Sequence, residues 1–294
     1  MSYLLAIDWG TSALRGARMS HEGEVLEERS FPRGILTVAA GEFPSVFQQC
    51  FGDWMTEGTL CLMSGMVGSR QGWREAAYCA CPAGFADIAG KLEWLVPGSH
   101  AIVPGLSYEI EGVPDVMRGE ETQIFGALAV LGLQDTRMVH PGTHSKWVTI
   151  EAGRIVRFST FMTGEVFALL RRNSILSKTM PEDDPAPDDA AFDRGVQYAL
   201  RSPSLLHTAF SARTLALFNR MDAAALPSYL SGLVIGEEIR AQQLAEGESL
   251  VVMGSDTLTA LYSRALGQRK VAVSCVGGAV NWHGLHAIAR TLRP

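Results

Sequence analysis

One short pattern occurs twice in this chain, and a repeated pattern calls for a repeated structural unit. It runs as a Gly-Thr loop, a strand, a glycine turn, a second strand and a phenylalanine, first from Gly10 to Phe31 and again from Gly142 to Phe161. The loop recurs 132 residues on, from Gly10 to Gly142, and the turn 130 residues on, from Gly23 to Gly153. The two offsets differ by only two residues, which reads as an internal duplication. In the first copy, the apolar runs 4–7, 14–19 and 25–31 are divided by turns, as in a three-strand meander. A chain of 294 residues with 47% hydrophobic content can bury two ordinary cores. Two lobes are therefore expected, residues 1–118 and 119–294.

Between the copies and after them, periodicity and turn residues punctuate the chain. Helices are expected at 43–55, 85–95, 124–131, 166–171, 190–200, 205–220, 229–244, 258–266 and 280–292. Strands are expected at 59–63, 101–103, 250–253 and 271–273. Residues 181–189 are acidic and broken by prolines, so a solvated loop is expected there.

Composition narrows the partners. A formal net charge of −6 without any Lys/Arg cluster argues against nucleic acid and against an anionic membrane surface. No apolar run approaches the roughly 20 residues of a spanning helix, and the run 3–7 has no basic leader, so neither an anchor nor a signal peptide is indicated. A cytoplasmic location follows as an expectation. The five cysteines, at 50, 61, 79, 81 and 275, form neither a disulfide framework nor a zinc-site spacing, so reduced thiols are expected.

The loops carry the chemistry. Asp8 ends the first apolar run and is a hard oxygen ligand suited to Mg²⁺. Gly10 lets the backbone approach a ligand, while Thr11 and Ser12 offer hydroxyl and N–H donors to phosphate oxygens. The second loop supplies Gly142, Thr143, His144, Ser145 and Lys146, the last adding a compact positive charge. Ligands of α/β proteins favour crevices at strand ends. The two loops are thus expected to face a common cleft and to grip a nucleotide's phosphates from both sides.

Four motifs then stand in a fixed order: Asp8-Trp9-Gly10-Thr11-Ser12 with Arg15, the glycine-rich stretch 64–73, the stretch 115–123, and Pro141-Gly142-Thr143-His144-Ser145-Lys146-Trp147. With Phe161-Met162-Thr163-Gly164-Glu165 and the Gly254 region, they give the chain a nearly end-to-end resemblance to the 2-dehydro-3-deoxygalactonokinase family of the sugar kinase, Hsp70 and actin superfamily. The resemblance implies a two-lobed α/β fold, a duplicated RNase-H-like (actin/hexokinase-type ATPase) architecture with a cleft between lobes. It also implies ATP with Mg²⁺, and phosphorylation of the terminal 6-hydroxyl of 2-dehydro-3-deoxy-D-galactonate.

Phosphoryl transfer needs the phosphate and hydroxyl held in line, charge neutralised, and a carboxylate near the attacking hydroxyl. Asp8 would organise the metal and Lys146 offset phosphate charge. Glu121 is the candidate base, at a helix start where relatives place an acid, and Glu120 competes with it. Arg70 is the candidate partner for the sugar acid's carboxylate, with Gly65, Ser69 and Gln71 around it. Arg15 either faces the ligand or pairs with an acid. Thr163 and Glu165 are expected to line the sugar pocket, and Gly254 and Ser255 to lie under adenosine, as the corresponding turn does in relatives.

Two features depart from the superfamily pattern. The second loop begins His140-Pro141, so it lacks a second metal-organising acid, and the turn at 277–282 is unusual beside an adenine site. His283 and His286 follow at helical spacing and read as solvated helix residues. Two alternatives stay open at this stage. One is a kinase for another sugar acid such as 2-dehydro-3-deoxygluconate; the other is a nucleotide-binding regulator without transfer activity. A homodimer is also left open.

Overall fold

The computed structural model describes residues 4–202, 204–277 and 280–292. By contact density the chain forms two compact units. The first comprises Met1–Thr136, Val148–Ser159 and Gly278–Pro294; the second comprises Arg137–Trp147 and Thr160–Gly277.

The first unit is built on the expected meander. Strands β1 (Leu4–Trp9), β2 (Leu14–Met19) and β3 (Val25–Phe31) pair antiparallel in sequence order. Helix α1 (Phe43–Phe51) follows, then β4 (Leu60–Ser64), which pairs parallel with β1. Next come β5 (Cys79–Ala80), α2 (Phe85–Ala89), β6 (Glu93–Val96) and β7 (His100–Ile102). The six-stranded sheet has the order β3-β2-β1-β4-β7-β6. Strands β8 (Leu106–Ile110) and β9 (Val113–Met117) form a hairpin that joins β5 in a three-stranded sheet.

Alternation along β1 decides which face meets which helix. Leu5, Ile7 and Trp9 bury with Phe43, Phe47 and Phe51 of α1 in one core cluster. Gly16 belongs to the same face, where a Cβ would lie 2.5 Å from the Phe51 ring. Asp8 takes the opposite face. There the unit is covered by α3 (Glu120–Leu131) and α10 (Asn281–Thr291), which pack on each other and, through α10, on β1 and β4. The two helices approach closely because both carry glycine at the crossing. A Cβ at Gly126 would stand 1.9 Å from the Val280 carbonyl oxygen, and one at Gly284 would stand 1.8 Å from that of Thr122.

The second copy of the pattern appears as β10 (Thr136–His140), β11 (Ser145–Glu151) and β12 (Arg154–Phe161). A tight turn with Ala152 at φ 49° and Gly153 at φ 70° joins the last two, the geometry that suits a two-residue hairpin. Helices α4 (Thr163–Asn173), α5 (Asp189–Arg201), α6 (Leu205–Thr208), α7 (Ser211–Leu217) and α8 (Leu226–Ala241) lead to β13 (Ser249–Gly254), α9 (Asp256–Gly267) and β14 (Ala272–Gly277). The five-stranded sheet runs β12-β11-β10-β13-β14, with β13 parallel to both neighbours. In each large sheet the third, second and first meander strands are followed by two parallel strands, so the duplication expected from the loops is present in the topology. Helices α5 and α8 pack as closely as α3 and α10 do. Gly195 and Gly232 lie at their crossing, where a Cβ would come within 2.2 and 2.1 Å of a facing carbonyl oxygen.

Several expectations change. The helix at 85–95 ends at Ala89, and Glu93–Val96 is a strand that completes the sheet edge beside β7. The helix at 205–220 is two short helices, α6 and α7. The helix expected from residue 124 starts at Glu120, so both carboxylates lie in its first turn. The compact units also differ from a division at residue 118. Helices α3 and α10 group with the first unit because each is the other's packing partner. In the turn at 277–282, Gly278 and Ala279 lie outside the described residues. No helix among the described residues is long and apolar enough to cross a membrane.

Alanine is ordinarily a better helix residue than glycine by up to about 1 kcal/mol. Gly284→Ala is nevertheless expected to lower stability by about 2 kcal/mol, because the contact with Thr122 overpacks the crossing. A fall in the urea unfolding midpoint is the expected result; a rise would show that α10 shifts without penalty.

Candidate active site

In the first unit, three chain segments converge where β1 ends. Asp8 stands directly across from Arg15 in the β1–β2 register, and the two side chains form an ion pair. Arg15 is thus paired with an acid while its side chain stays half-exposed. Burial lifts the Asp8 carboxyl above its ordinary value and outweighs the pull of Arg15. The following turn is closed by Gly10 N–H donating to the Ala13 carbonyl at 2.9 Å. It is braced from behind by residues 34–36, with Ile35 N–H donating to the Gly10 carbonyl at 3.0 Å. Thr11 and Ser12 are exposed on this brace.

The second segment is the loop after β4. Gly65 takes φ 94°, and a Cβ there would stand 3.2 Å from Asp8 Oδ1 and 2.9 Å from the Trp9 carbonyl oxygen. The third segment is the entry to α3. Gly119, at φ 104°, brings its own Cβ position to 3.3 Å from the Gly65 Cα. Two glycines in left-handed conformation thus let Asp8 and the first turn of α3 meet across Gly65.

At that helix start the two glutamates differ. Glu120 is half-buried and accepts the Arg118 N–H at 3.0 Å. Glu121 is fully buried; its Oε2 accepts the Gly119 N–H at 2.6 Å, while its Oε1 has no hydrogen-bond partner among the described residues. Burial first, and then the charge of Glu120, push the Glu121 carboxyl up to about 8. Thr122 ties the turn down, donating to the Gly119 carbonyl at 2.8 Å and bonding Asn281 of α10.

The glycine-rich loop distributes its residues unevenly. The Arg70 side chain is 88% exposed and pairs with Glu75 at 3.0 Å, and Gln71 is exposed. Ser69 turns inward, its Oγ buried without a partner among the described residues. The guanidinium tucked against this loop is that of Arg118, a residue the sequence pattern did not single out.

The second unit has its own convergence. Gly164 packs against the second loop so closely that a Cβ would lie 2.5 Å from the Gly142 carbonyl oxygen, and Glu165 N–H donates to the Thr143 carbonyl at 3.1 Å. His144 and Glu165 pair at 2.6 Å on the exposed side. The turn at Gly254 approaches Pro141, and Ser255 caps α9. Three further residues turn inward. Ser145 Oγ bonds the Tyr262 hydroxyl at 3.0 Å, Lys146 Nζ donates to Thr160 Oγ1 at 2.9 Å, and the Thr163 hydroxyl bonds Glu238.

Beside Gly142 and Gly164, and still within the second unit, lies a largely apolar cavity of 390 Å³ whose walls include Phe167, Ile235, Leu258 and Leu261. The acidic stretch at 181–189 supplies another wall through Asp184, Pro185 and Pro187. It is a largely exposed loop, as expected, and it is tethered: Arg171 pairs with Asp184 and donates to the Asp183 carbonyl at 3.0 Å. Periodicity could not reveal this cavity, because most of its lining residues come from helices far apart in the sequence.

The sequence profile of the 2-keto-3-deoxy-galactonokinase family matches residues 8–288. The chain belongs to that family. A relative from Rhizobium meliloti (strain 1021), named "Probable 2-dehydro-3-deoxygalactonokinase", is 38% identical over 301 residues, covering 99% of this chain and 98% of its own. The 2-dehydro-3-deoxygalactonokinase of Escherichia coli (strain K12) is 33% identical, covering 98% of each chain. The crystal structure of a Sinorhizobium meliloti protein titled as a 2-dehydro-3-deoxygalactonokinase superposes with a TM-score of 0.92 at 37% identity, covering 99% of this chain and 100% of that one. More remote solved structures, at 13 and 15% identity, share the fold alone, with TM-scores of 0.53 and 0.50. The family expected from the four motifs is therefore the family the chain belongs to, and its fold is that of the sugar kinases and actin-like ATPases.

The buried glutamate of this kinase-family chain has a consequence for stability. A carboxyl raised to about 8 in the folded state keeps its proton where the unfolded chain has lost it. Its contribution is complete below the unfolded value near 4.5 and is lost as pH rises through about 8. The uncharged Glu121→Gln variant lacks this dependence. Its unfolding midpoint should gain on the wild type between about pH 4.5 and about pH 8, and parallel curves would rule out a buried carboxyl with a raised pKa.

Proposed function

We propose that this chain is an ATP-dependent kinase that phosphorylates the terminal 6-hydroxyl of 2-dehydro-3-deoxy-D-galactonate, acting in the cytoplasm. Family membership supports the reaction class. The observation that carries the chemistry is the meeting of Asp8, Gly65 and Gly119 beside a buried carboxylate oxygen without a partner, Glu121 Oε1.

That oxygen has the properties of a general base. It sits where nothing in the described protein satisfies it, so a substrate hydroxyl would be its hydrogen-bond donor. Its raised pKa matches proton removal near neutral pH better than an ordinary carboxylate would. Glu120 supports it by holding the Arg118 backbone and by repelling its charged form.

Asp8 fits Mg²⁺ on its chemistry. Arg15 occupies Oδ2, and Oδ1 remains as a hard donor facing Gly65. A magnesium ion that keeps most of its waters needs only one or two carboxylates, and when bound it would offset phosphate charge. Thr11 and Ser12, exposed on their braced turn, offer donors to phosphate oxygens. In the second unit, the backbone of Gly142 and Thr143 with the charge of Lys146 would serve the same end. The 390 Å³ cavity beyond Gly142 and Gly164 would take the nucleoside, with Gly254 and Ser255 at the start of the helix that lines it.

The test is ADP release in the presence and absence of the sugar acid. Release that depends on the acid is expected; release without any acid, or none with it, would refute the kinase assignment. Glu121→Gln should lower kcat by roughly 100-fold or more with nucleotide affinity retained. If Glu120→Gln shows the larger loss, the base is Glu120. Because the base acts deprotonated, kcat/KM should climb as pH rises toward about 8 and level off above it. A flat profile across that range would exclude Glu121 in this role.

A further inference from the structure

A sugar acid brings a carboxylate, and a protein that selects for it needs a cation placed to receive it. Arg70, the arginine of the glycine-rich loop, is poorly suited: its side chain is 88% exposed and already neutralised by Glu75. Arg118 stands differently. It follows β9, and its guanidinium is fixed from two sides, by Nη2 donating to the Ala76 carbonyl at 2.7 Å and by stacking 4.5 Å over the Tyr78 ring. It can lie against the loop only because residue 68 is glycine, where a Cβ would stand 2.7 Å from Nη1.

What this clamp leaves over is the informative part. Nε and Nη1 of Arg118 are buried and have no acceptor among the described residues, and Ser69 Oγ in the adjoining loop is in the same state. The neighbouring carboxylates accept backbone N–H groups, Glu120 that of Arg118 and Glu121 that of Gly119, although the Arg118 charge does favour ionised Glu121. A buried donor left unpaired bears its full desolvation cost, and a larger one when charged. A cation held rigid, with donors to spare and a buried, unpartnered hydroxyl on the residue after Gly68, is complementary to an anion with several acceptor positions.

We propose that Arg118, assisted by Ser69, receives the carboxylate of the sugar acid and so sets the preference for an acid over a neutral sugar. The assignment rests on the kinase reading for the identity of the ligand. A simple strut from Arg118 to Ala76 would explain Nη2 but not the spare donors on Nε and Nη1.

The experiment compares the sugar acid with its methyl ester, one methyl group larger and uncharged, on the wild type, Arg118→Met, Arg118→Lys and Ser69→Ala. Binding is read by titration calorimetry and turnover by ADP release. Arg118→Met should weaken the acid on the order of 100-fold while leaving the ester and ATP within a few-fold. Arg118→Lys should recover part of the preference through charge alone, and Ser69→Ala should weaken the acid several-fold with the ester unchanged. Parallel losses of acid and ester would reduce Arg118 to a structural strut and overturn the proposal, as would full retention of the preference. If Arg118→Met fails to fold, Ser69→Ala and Arg118→Lys decide by the same ratio. Wild-type binding of the acid without acid-dependent ADP release would refute the kinase reading and still leave the carboxylate contact measurable.

Discussion

The absence of a side chain at two helix crossings is the constraint on which the structure depends. Helices α3 and α10 approach to backbone contact through Gly126 and Gly284, and α5 and α8 do so through Gly195 and Gly232. Dispersion and burial reward such close approach only where no Cβ intervenes. Each pair therefore fixes its helices as one body against its own sheet or core. In the first unit this sets the entry of α3, and with it Glu120 and Glu121. In the second it sets two walls of the cavity beside Gly142 and Gly164.

Two buried glutamates show how the same residue type serves different ends. Glu238 in α8 is surrounded by donors: Trp147 Nε1 at 2.7 Å, the Tyr262 hydroxyl at 2.7 Å and the Thr163 hydroxyl. Such a network gives the interior a specific arrangement and leaves nothing for a ligand. Glu121 receives one backbone N–H and keeps an oxygen unpaired among the described residues. Burial raises both carboxyls, but only the second has unused capacity. Arg118 is the cationic counterpart of this incompleteness, held firmly at one nitrogen and left open at two.

Much of this was readable in the chain. The meander, the duplicated loops and the Asp8 turn lie in short contiguous stretches whose period and turn residues report local geometry directly. Strand β6 was misread as helix because pairing with β7 at the sheet edge overrides the local pattern of residues 93–96. The arginines around the glycine-rich loop illustrate a different limit. A glycine-rich loop with an arginine suggests a carboxylate partner, yet which arginine turns inward depends on Gly68, Ala76 and Tyr78 meeting around residue 118.

The sequence by itself determined the duplicated meander and the kind of groups at each loop, because these follow from repeat, alternation and turn chemistry along the chain, while the family rests on the resemblance of its four motifs and on the matching family profile. Only the tertiary structure decided which of those groups have spare bonding capacity. It turned the Ser145 and Thr163 hydroxyls into the interior, paired Arg15 with Asp8, and left Glu121 and Arg118 incomplete. The reason is physical: satisfaction of a polar atom is a property of its neighbours in space, and those neighbours come from segments that no local pattern connects.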